Sequence, residues 1–296
     1  TLSAAVEAKE YEAKIQKDNP DFKVAIGNEI YLTETRDSGQ KYFHFILIAK
    51  DKIGFRMLRE LSSCSWMQSY SDKGVERVPT LKIELQNMVK KYGKGHLIAT
   101  SACLGGELSS LTWELISAKD EEQIYQKKYQ IHNFILYCKN LFGNDFYIEC
   151  APAHSEEQIT VNNRLFQIAK AHNIKMVIGT DSHFLKKEDK YVHAAFLNSR
   201  DEDRETESFY AYAYLQDEQD IKTNFKGTVL ENQYDILVQN SQEIYNKIEP
   251  FSIYKDQKIP EVEIKDYGQA QMFLNQPTLC QLLRSEDRRK RYCPPD

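Results

Sequence analysis

The sequence has no long apolar segment and no closely spaced pair of cysteines. None of its apolar runs approaches the roughly 20 residues that a membrane-spanning helix needs, and it does not open with a secretory signal. Its six cysteines include no Cys-x-x-Cys pair, and a chain of 296 residues does not need disulfides to be stable. These absences disfavour a membrane protein and a disulfide-rich secreted domain, and they predict a cytoplasmic protein without membrane contact.

An excess of basic residues is also absent. The 39 lysines and arginines are outnumbered by 44 aspartates and glutamates, which gives a net charge of −5. This balance disfavours a protein that binds nucleic acid through overall basicity, although a basic groove can lie on another domain of a larger protein. The phosphate-binding loop GxxxxGK[ST], the dinucleotide fingerprint GxGxxG and the hydrolase elbow GxSxG are missing as well.

The sequence does contain 41% hydrophobic residues, which is enough for a substantial core in one large domain or two smaller ones. Two strands, at 23–32 and 42–49, flank a turn-rich stretch and predict a β-turn-β pair. Further strands are predicted at 96–101, 146–150 and 176–179, and helices at 4–16, 53–62, 80–91, 121–142, 156–172, 216–225 and 231–247, with a cap-like start at Asn240 inside the last range. Because the later strands are almost continuously apolar and alternate with helices, the pattern predicts a parallel sheet or barrel covered by helices.

The strongest chemical signal follows the last predicted strand. The apolar run 176–178 ends at Gly179, and Asp181 and His183 come directly afterwards. Side chains two positions apart on an extended backbone point the same way, so this carboxylate and imidazole can bind one divalent metal ion. Taken alone, the motif is equally well explained by Asp181 capping the next segment.

Three other residues stand at predicted strand ends or in the turns that follow them: Glu29, His44 and Cys103. Together with Asp181 and His183 they offer carboxylate, imidazole and thiolate donors. This mixture suits zinc or manganese rather than calcium. Divalent ions held in this way can activate water and neutralise charge on a phosphodiester.

Each of these residues also has a structural interpretation that the sequence leaves open. Glu29 can be an exposed strand residue or an ion-pair partner, His44 a hydrogen-bonded core residue, and Cys103 a small buried side chain. Cys103 paired with a histidine is also conceivable as a nucleophile, although that leaves the later carboxylate–imidazole pair unexplained. Glu149, at a strand end, is a secondary candidate, and the remaining histidines are interpreted as structural or surface residues.

Six sequence blocks occur in the order found in one protein family. They are VAIGNEIY at 24–31, FHFILIAK at 43–50, LIATSACLGGE at 97–107, FYIE at 146–149, VNNRLFQIA at 161–169 and IGTDSHFLK at 178–186. Over residues 1–250 the sequence resembles the N-terminal polymerase-and-histidinol-phosphatase (PHP) domain of the bacterial replicative DNA polymerase III alpha subunit. The blocks at 101–107 and 181–186 are the most specific part of this resemblance.

The resemblance implies an α/β fold, a distorted (βα) barrel of the PHP type with a helical C-terminal extension. The metal ligands that it implies are Glu29, His44, Cys103, Asp181 and His183, with Glu29, Asp181 and His183 as the catalytic residues. In some family members such a site performs metal-dependent 3′–5′ exonuclease proofreading, and in others the domain is a scaffold that docks a separate proofreading subunit. All five positions carry competent residues here, which favours an intact site. A free-standing PHP phosphoesterase acting on a small phosphate ester is the remaining alternative.

By the same resemblance, residues 1–258 form the PHP domain and residues 259–296 a connector toward a polymerase palm beyond this sequence. The family's opening His-x-His strand and its Thr-Asp-His turn are expected before Thr1, so the site of this segment alone is expected to be incomplete. The parent is then expected to be a DNA-directed DNA polymerase, a nucleotidyltransferase of DNA replication with magnesium at its polymerase site. Its expected partners are primer–template DNA, the sliding clamp, the proofreading subunit and clamp-loader components.

Overall fold

The computed structural model describes residues 2–37, 41–72, 74–199 and 210–254. The chain divides into two compact units, Thr1–Ile253 and Tyr254–Asp296, and the helices and strands given below belong to the first. The predicted connector, 259–296, lies outside the described residues. Within the described ranges, no helix has both the length and the apolar content to span a bilayer.

The secondary structure alternates between short strands and longer helices. The described strands are β1 (Gly27–Thr33), β2 (Phe43–Ala49), β3 (Tyr70–Asp72), β4 (Val75–Arg77), β5 (Pro79–Leu81), β6 (Leu97–Thr100), β7 (Phe146–Cys150) and β8 (Met176–Ile178). The described α-helices are α1 (Leu2–Ile15), α2 (Lys52–Met67), α3 (Lys82–Tyr92), α4 (Glu107–Ile116), α5 (Glu121–Phe142), α6 (Glu156–His172), α7 (Lys190–Asn198), α8 (Glu218–Phe225) and α9 (Tyr234–Lys247).

Six strands form one sheet in the order β5-β1-β2-β6-β7-β8, while β3 and β4 form a separate pair. β1 and β2 pair antiparallel, with Gly27 opposite Ile48 and Leu32 opposite Phe43, which confirms the predicted β-turn-β pair. β2 also pairs antiparallel with β6, and the other three neighbouring pairs are parallel. The fold is therefore of the predicted α/β type with a mostly parallel sheet, and in the described part of the chain this sheet does not close into a barrel.

Helices α5 and α6 have the bounds that the sequence predicts, because both carry clear signals at each end. The side chains of Asp120 and Ser155 each accept a hydrogen bond from a backbone N–H of the first turn, at 2.8 and 3.3 Å. Gly143 and Asn173, both with positive φ, follow the last helical residues. A residue that tolerates a left-handed backbone is the usual end of a helix.

The two faces of the sheet are different, because successive side chains of a strand alternate between them. One face packs against α2 to α6 and carries the main apolar core, to which Phe45 belongs. The opposite face has a small apolar group formed by Ile98, Tyr147 and Val177, against which Ile244 of α9 packs. Beyond this small group, toward the ends of the parallel strands, the same face carries polar side chains.

The structure differs from the sequence-based prediction at several element ends. β1 begins at Gly27 rather than at residue 23, and α2 extends to Met67 rather than ending at residue 62. α8 and α9 begin at Glu218 and Tyr234 rather than at residues 216 and 231. Helix α3 begins at Lys82 rather than at residue 80, because Thr80 belongs to β5 and pairs with Leu32. The predicted cap-like start at Asn240 is wrong, since Asn240 lies inside α9. Its side chain is buried and its Nδ2 donates a hydrogen bond to the Met176 carbonyl at 2.7 Å, which holds α9 to β8. The sequence also gave no prediction of α4, α7 and the short strands β3 to β5.

Gly54, in the first turn of α2, lies where this helix packs most closely against the segment that leads into β6. A Cβ at this position would lie 2.0 Å from the carbonyl oxygen of His96. That oxygen already accepts a hydrogen bond from the backbone N–H of Lys50 at 3.0 Å. We predict that Gly54→Ala lowers the free energy of unfolding by about 1–3 kcal/mol, because the backbone must move to relieve the contact.

Urea denaturation measures this change. Ser63→Ala, at an exposed position of the same helix, is the control and is expected to change the free energy of unfolding by less than about 0.5 kcal/mol. A Gly54→Ala variant as stable as the wild type would show that α2 does not depend on this close approach.

Candidate metal centre

A polar cluster lies where three parallel strands finish and the antiparallel strand β2 begins. Strands β6, β7 and β8 run in one direction, and β2 runs against β6. The start of β2 therefore meets the carboxyl ends of the parallel strands, the edge at which α/β sheets bind ligands. His44, the second residue of β2, is brought beside the turn that contains Cys103, and its backbone N–H donates to the Gly105 carbonyl at 3.0 Å.

Glu29, His44 and Cys103 form the close part of this cluster. Tyr31 lies opposite His44 in the strand pair, so Glu29, two residues earlier, is the diagonal neighbour of His44 on the same face. The Glu29 Oε1 lies 2.6 Å from His44 Nδ1, and the Cys103 Sγ lies 3.5 Å from the same nitrogen. Among the residues that the structure describes, this is the only group of three or more His, Cys, Asp and Glu side chains whose ligand atoms all lie within 4.8 Å of one another.

The hydrogen bond between Glu29 and His44 shifts both groups toward an ion pair. It lowers the pKa of the Glu29 carboxyl and raises the pKa of the His44 imidazole. Cys103, in contrast, is shifted toward its neutral form. Burial and then the nearby Asp181 carboxylate raise the pKa of its thiol to about 12. The thiol is therefore protonated at neutral pH, and a metal ion that binds its sulfur must displace that proton.

Two glycines allow the turn after β6 to approach the imidazole. A Cβ on Gly105 would lie 3.1 Å from the ring of His44, and a Cβ on Gly106 would lie 2.1 Å from the carbonyl oxygen of Ser101. The turn also contains Ala102 with a φ of 58°, in the left-handed region. The Gly-Gly pair is thus required by close contacts with backbone and imidazole rather than by chain flexibility alone.

Glu149, in β7, adds a partly buried carboxylate to the cluster. Its Oε1 accepts a hydrogen bond from Thr100 Oγ1. Burial raises the pKa of the Glu149 carboxyl to about 7; the Thr100 hydrogen bond opposes this shift, and the negative charges of Asp181 and Glu29 add to it. A Cβ on Gly179 would lie 2.1 Å from Glu149 Oε2, so the glycine after β8 leaves the space that this side chain occupies. The sequence marked Glu149 only as a secondary candidate, from its position at a strand end.

Asp181 and His183 border the cluster from a loop rather than from an extended strand. β8 ends three residues before Asp181, whose φ of 45° is left-handed, so the predicted common direction of two extended side chains does not hold. The two residues meet instead through His183 Nδ1, which lies 2.7 Å from the Asp181 carbonyl oxygen and 3.7 Å from its Oδ1. The Asp181 carboxylate also acts to raise the pKa of His44, and His183 acts to lower that of Glu29. The structure therefore brings all five predicted residues to one cluster, three of them close together and two at its border.

His193, which the sequence interpretation left among the structural and surface histidines, contacts this border from α7. Its ring centroid lies 5.3 Å from that of His183 and 4.7 Å from that of Tyr210, and Tyr210 lies 5.2 Å from His183. The contact depends on how α7 packs rather than on sequence spacing, so no motif marks it.

The donor set fits a divalent metal ion. Carboxylate oxygen, imidazole nitrogen and thiolate sulfur are all ligands of zinc, and the carboxylates and imidazoles also suit manganese. Three carboxylates, from Glu29, Glu149 and Asp181, share this partly buried edge, and the negative charges of Asp181 and Glu29 disfavour the charged form of Glu149. A cation bound among them offsets that repulsion, which gives the cluster an electrostatic reason to hold one.

Comparisons with known proteins point to one family. Residues 3–153 match the PHP domain family. The chain is 37% identical over 275 residues, 88% of its length, to a probable DNA polymerase of Bacillus subtilis, and the same figures hold for a DNA-directed DNA polymerase of Bacillus phage SPbeta. It is 33% identical over 187 residues, 59% of its length, to the DNA polymerase III subunit alpha of Aquifex aeolicus. The matched region covers 21% of each of the first two relatives and 14% of the third, so the chain spans about a fifth or less of their length.

Replacing the thiol tests whether the cluster binds metal. We predict that Cys103→Ser weakens zinc binding by about tenfold or more, because a thiolate ligand is lost from the donor set. Calorimetric titration of the metal-free chain with zinc measures the affinity. The matched control is Cys64→Ser, since Cys64 is also a free thiol but contacts Glu84 and Gln68 instead of the cluster. Equal zinc affinities of Cys103→Ser and the wild type would exclude Cys103 as a ligand.

Proton release provides a second test of the same centre. Because the pKa of Cys103 is raised to about 12, its thiol is fully protonated near pH 7 to 8 and loses its proton only when metal binds. Zinc binding should therefore strengthen as the pH rises through this range, with about one more proton released by the wild type than by Cys103→Ser. Titrations in buffers of different ionisation enthalpy count these protons. Equal proton release by the two proteins would contradict coordination by the Cys103 sulfur.

Proposed function

The chain belongs to the PHP domain family, and we propose that it is the N-terminal PHP region of a replicative DNA polymerase of the polymerase III alpha type. We infer further that its metal centre hydrolyses the phosphodiester bond at a DNA 3′ end. The similarity to two DNA polymerases supports the first statement, because it covers 88% of the chain and therefore extends beyond residue 153, where the family match ends.

The observation that carries the hydrolytic proposal is the close group of Glu29, His44 and Cys103, whose ligand atoms lie within 4.8 Å of one another. Asp181 and His183 are the other two proposed ligands in this chain. The bound species would be zinc or manganese, which supplies Lewis acidity toward phosphoryl oxygens and lowers the pKa of water. The position of the cluster at the carboxyl ends of β6, β7 and β8 leaves it accessible at the edge of the sheet.

The histidines of the cluster are oriented before any ion binds. His183 Nδ1 lies 2.7 Å from the Asp181 carbonyl oxygen, which can only accept a hydrogen bond, so Nδ1 is the donor and Nε2 is the nitrogen available to a metal ion when the imidazole is neutral. The ring of His193 packs edge-on against that of His183, with 5.3 Å between their centroids, and limits its rotation. Glu29 holds the His44 ring through the 2.6 Å contact with Nδ1. The contacts of His183 fix the orientation of its imidazole and reduce the reorganisation that binding requires, whereas at His44 a bound ion must displace the proton shared with Glu29.

The remaining parts of the proposal concern the whole polymerase. We propose that residues 1–258 are the PHP domain and residues 259–296 a connector toward the polymerase palm, where magnesium serves nucleotidyl transfer. The partners are primer–template DNA, the sliding clamp, the clamp loader and the proofreading subunit, and the protein acts in the cytoplasm. The similarity to longer DNA polymerases, of which the chain spans about a fifth or less, supports these proposals.

The test of the hydrolytic proposal is 3′–5′ trimming of a labelled primer by the full-length polymerase in the presence of manganese or zinc. We predict that Asp181→Asn and His183→Ala each lower the trimming rate by about 100-fold or more, since metal-dependent hydrolysis loses a ligand, while DNA synthesis is unchanged. The matched control is Asp18→Asn, at an exposed position after α1, which is expected to trim at the wild-type rate. If the wild type synthesises DNA but does not trim, the domain is a scaffold and the hydrolytic proposal is wrong.

A further inference from the structure

Helix α5 has two apolar sides, although only one of them packs on the core. The buried residues of this 22-residue helix lie on one side and include Ile131 and Phe134. On the opposite side, Tyr125, Tyr129 and Leu136 are 63%, 54% and 44% exposed. A helix at the surface of a domain needs one apolar stripe for its own packing, so the second stripe requires a separate explanation.

The exposed stripe has the spacing of a helix that packs against another helix. With the exposed His132, its residues occupy positions 125, 129, 132 and 136, which are separated by four, three and four residues. This is the a/d pattern of paired helices, in which these positions form one continuous seam. The side chains of Tyr125 and Tyr129 make no hydrogen bond and no ring contact with any described residue. In the described part of the chain, nothing therefore uses this seam.

An acidic residue and a basic residue extend the seam at its two ends. Glu122 continues the spacing toward the start of the helix, and Lys139 continues it toward the end. Both are exposed, and neither forms an ion pair with a described residue. Glu122 instead accepts a hydrogen bond from Gln126 at 2.7 Å, and Lys139 donates one to the His172 carbonyl at 3.1 Å. The seam is thus apolar at its centre, with opposite charges at its two ends.

This pattern is complementary to itself when two copies of α5 run antiparallel. A two-fold axis that passes between positions 130 and 131 makes every position of the seam face a different position of the second copy. The pairs that it brings together are Glu122 with Lys139, Tyr125 with Leu136, and Tyr129 with His132. A parallel pair would instead place Glu122 against Glu122 and Lys139 against Lys139, which like-charge repulsion and the helix dipoles disfavour.

We propose that α5 is a dimerisation surface, on which a second copy of this chain packs its own α5 antiparallel across a two-fold axis. The tyrosines and Leu136 supply the apolar contact, and an ion pair between Glu122 and Lys139 at each end sets the direction and the register. Helix α5 packs on the core face of the sheet, and the metal cluster lies on the opposite face. Dimerisation therefore leaves both clusters accessible, and the inference does not depend on the proposed function.

Two other exposed apolar patches lack this combination. Tyr191 and Val192 of α7 are more exposed than the tyrosines of α5. However, α7 contains no acidic residue, so two copies of it bring no opposite charges together. At the end of α2, Trp66 and Met67 are adjacent in sequence, and adjacent side chains of a helix do not share one face. Charge complementarity therefore favours α5 as the surface that a second copy recognises.

Sedimentation equilibrium of the 296-residue chain at concentrations from about 1 μM to 1 mM tests the dimer. The mass of the wild type is expected to rise with concentration toward twice the 34.5 kDa of one chain. Tyr129→Ala is expected to raise the dimer Kd by about tenfold or more, because each copy loses an aromatic contact at the centre of the interface. The matched control is Tyr191→Ala, at an exposed position of α7, which is expected to leave the Kd unchanged.

Exchanging the two end charges tests the direction and register of the pair. Glu122→Lys and Lys139→Glu are each expected to raise the Kd by about fivefold, because each places like charges opposite each other at both ends. The double exchange restores opposite charges and is expected to return the Kd to near the wild-type value. The matched control is Lys90→Glu, the same charge change in the last turn of α3, which is expected to have no effect. Circular dichroism checks that the variants keep the wild-type fold.

Three results would overturn the dimer that we propose. The first is a wild-type chain that stays monomeric up to about 1 mM, which is also the result expected if a different polypeptide covers α5. The second is a dimer that Tyr191→Ala weakens and Tyr129→Ala does not, since the interface then lies on α7. The third is a double exchange that fails to restore the Kd, because the two end charges are then not paired between antiparallel helices.

Discussion

The direction of one strand determines where the chemistry of this protein lies. β2 runs antiparallel to both of its neighbours, β1 and β6, inside a sheet whose other pairs are parallel. Its first residues therefore lie at the carboxyl ends of the parallel strands, and His44 reaches the cluster from the start of β2. Glu29 comes from inside β1, and the other three proposed ligands come from the loops after β6 and β8. A one-residue slip in the pairing of β1 with β2 would turn His44 and Glu29 to opposite faces. The register, with Tyr31 opposite His44, is thus a condition for the metal centre.

The cluster that this arrangement produces is electrostatically unfavourable without a cation. The carboxyl of Glu149 is partly buried and its pKa is raised to about 7. Burial and the charge of Asp181 raise the pKa of the Cys103 thiol to about 12. The hydrogen bond to Glu29 favours the charged form of His44 and compensates part of this negative charge. A divalent ion can interact with all of these groups at once. Its binding then offsets the free-energy cost of removing these polar groups from water, a cost that folding has already incurred.

Much of the fold could be predicted from the sequence, where local signals are strong. The bounds of α5 and α6 follow from Asp120 and Ser155 at their starts and from Gly143 and Asn173 at their ends. The prediction failed where contacts with distant parts of the chain determine the local structure. Thr80 was predicted to be helical but pairs with β1. Helix α9 continues through Asn240, where a helix start was predicted.

The candidate site shows the same division. The five residue types at strand ends were recognisable, and the structure brings all five together. The left-handed backbone of Asp181 could not be predicted, because the motif was interpreted as an extended strand end and only the structure shows that Asp181 lies in a turn. The contact of His193 with His183 was equally inaccessible, since it depends on how α7 packs after a loop.

X-ray absorption spectroscopy of the zinc-loaded chain tests the central claim most directly, because it reports the atoms around the ion whether or not the site is active. The account predicts a mixed shell with one sulfur at about 2.3 Å and oxygen and nitrogen at about 2.0–2.2 Å, with the sulfur contribution lost in Cys103→Ser and kept in Cys64→Ser. A wild-type spectrum with only oxygen and nitrogen neighbours would contradict it, since the ion would then bind away from the cluster that Glu29, His44 and Cys103 form.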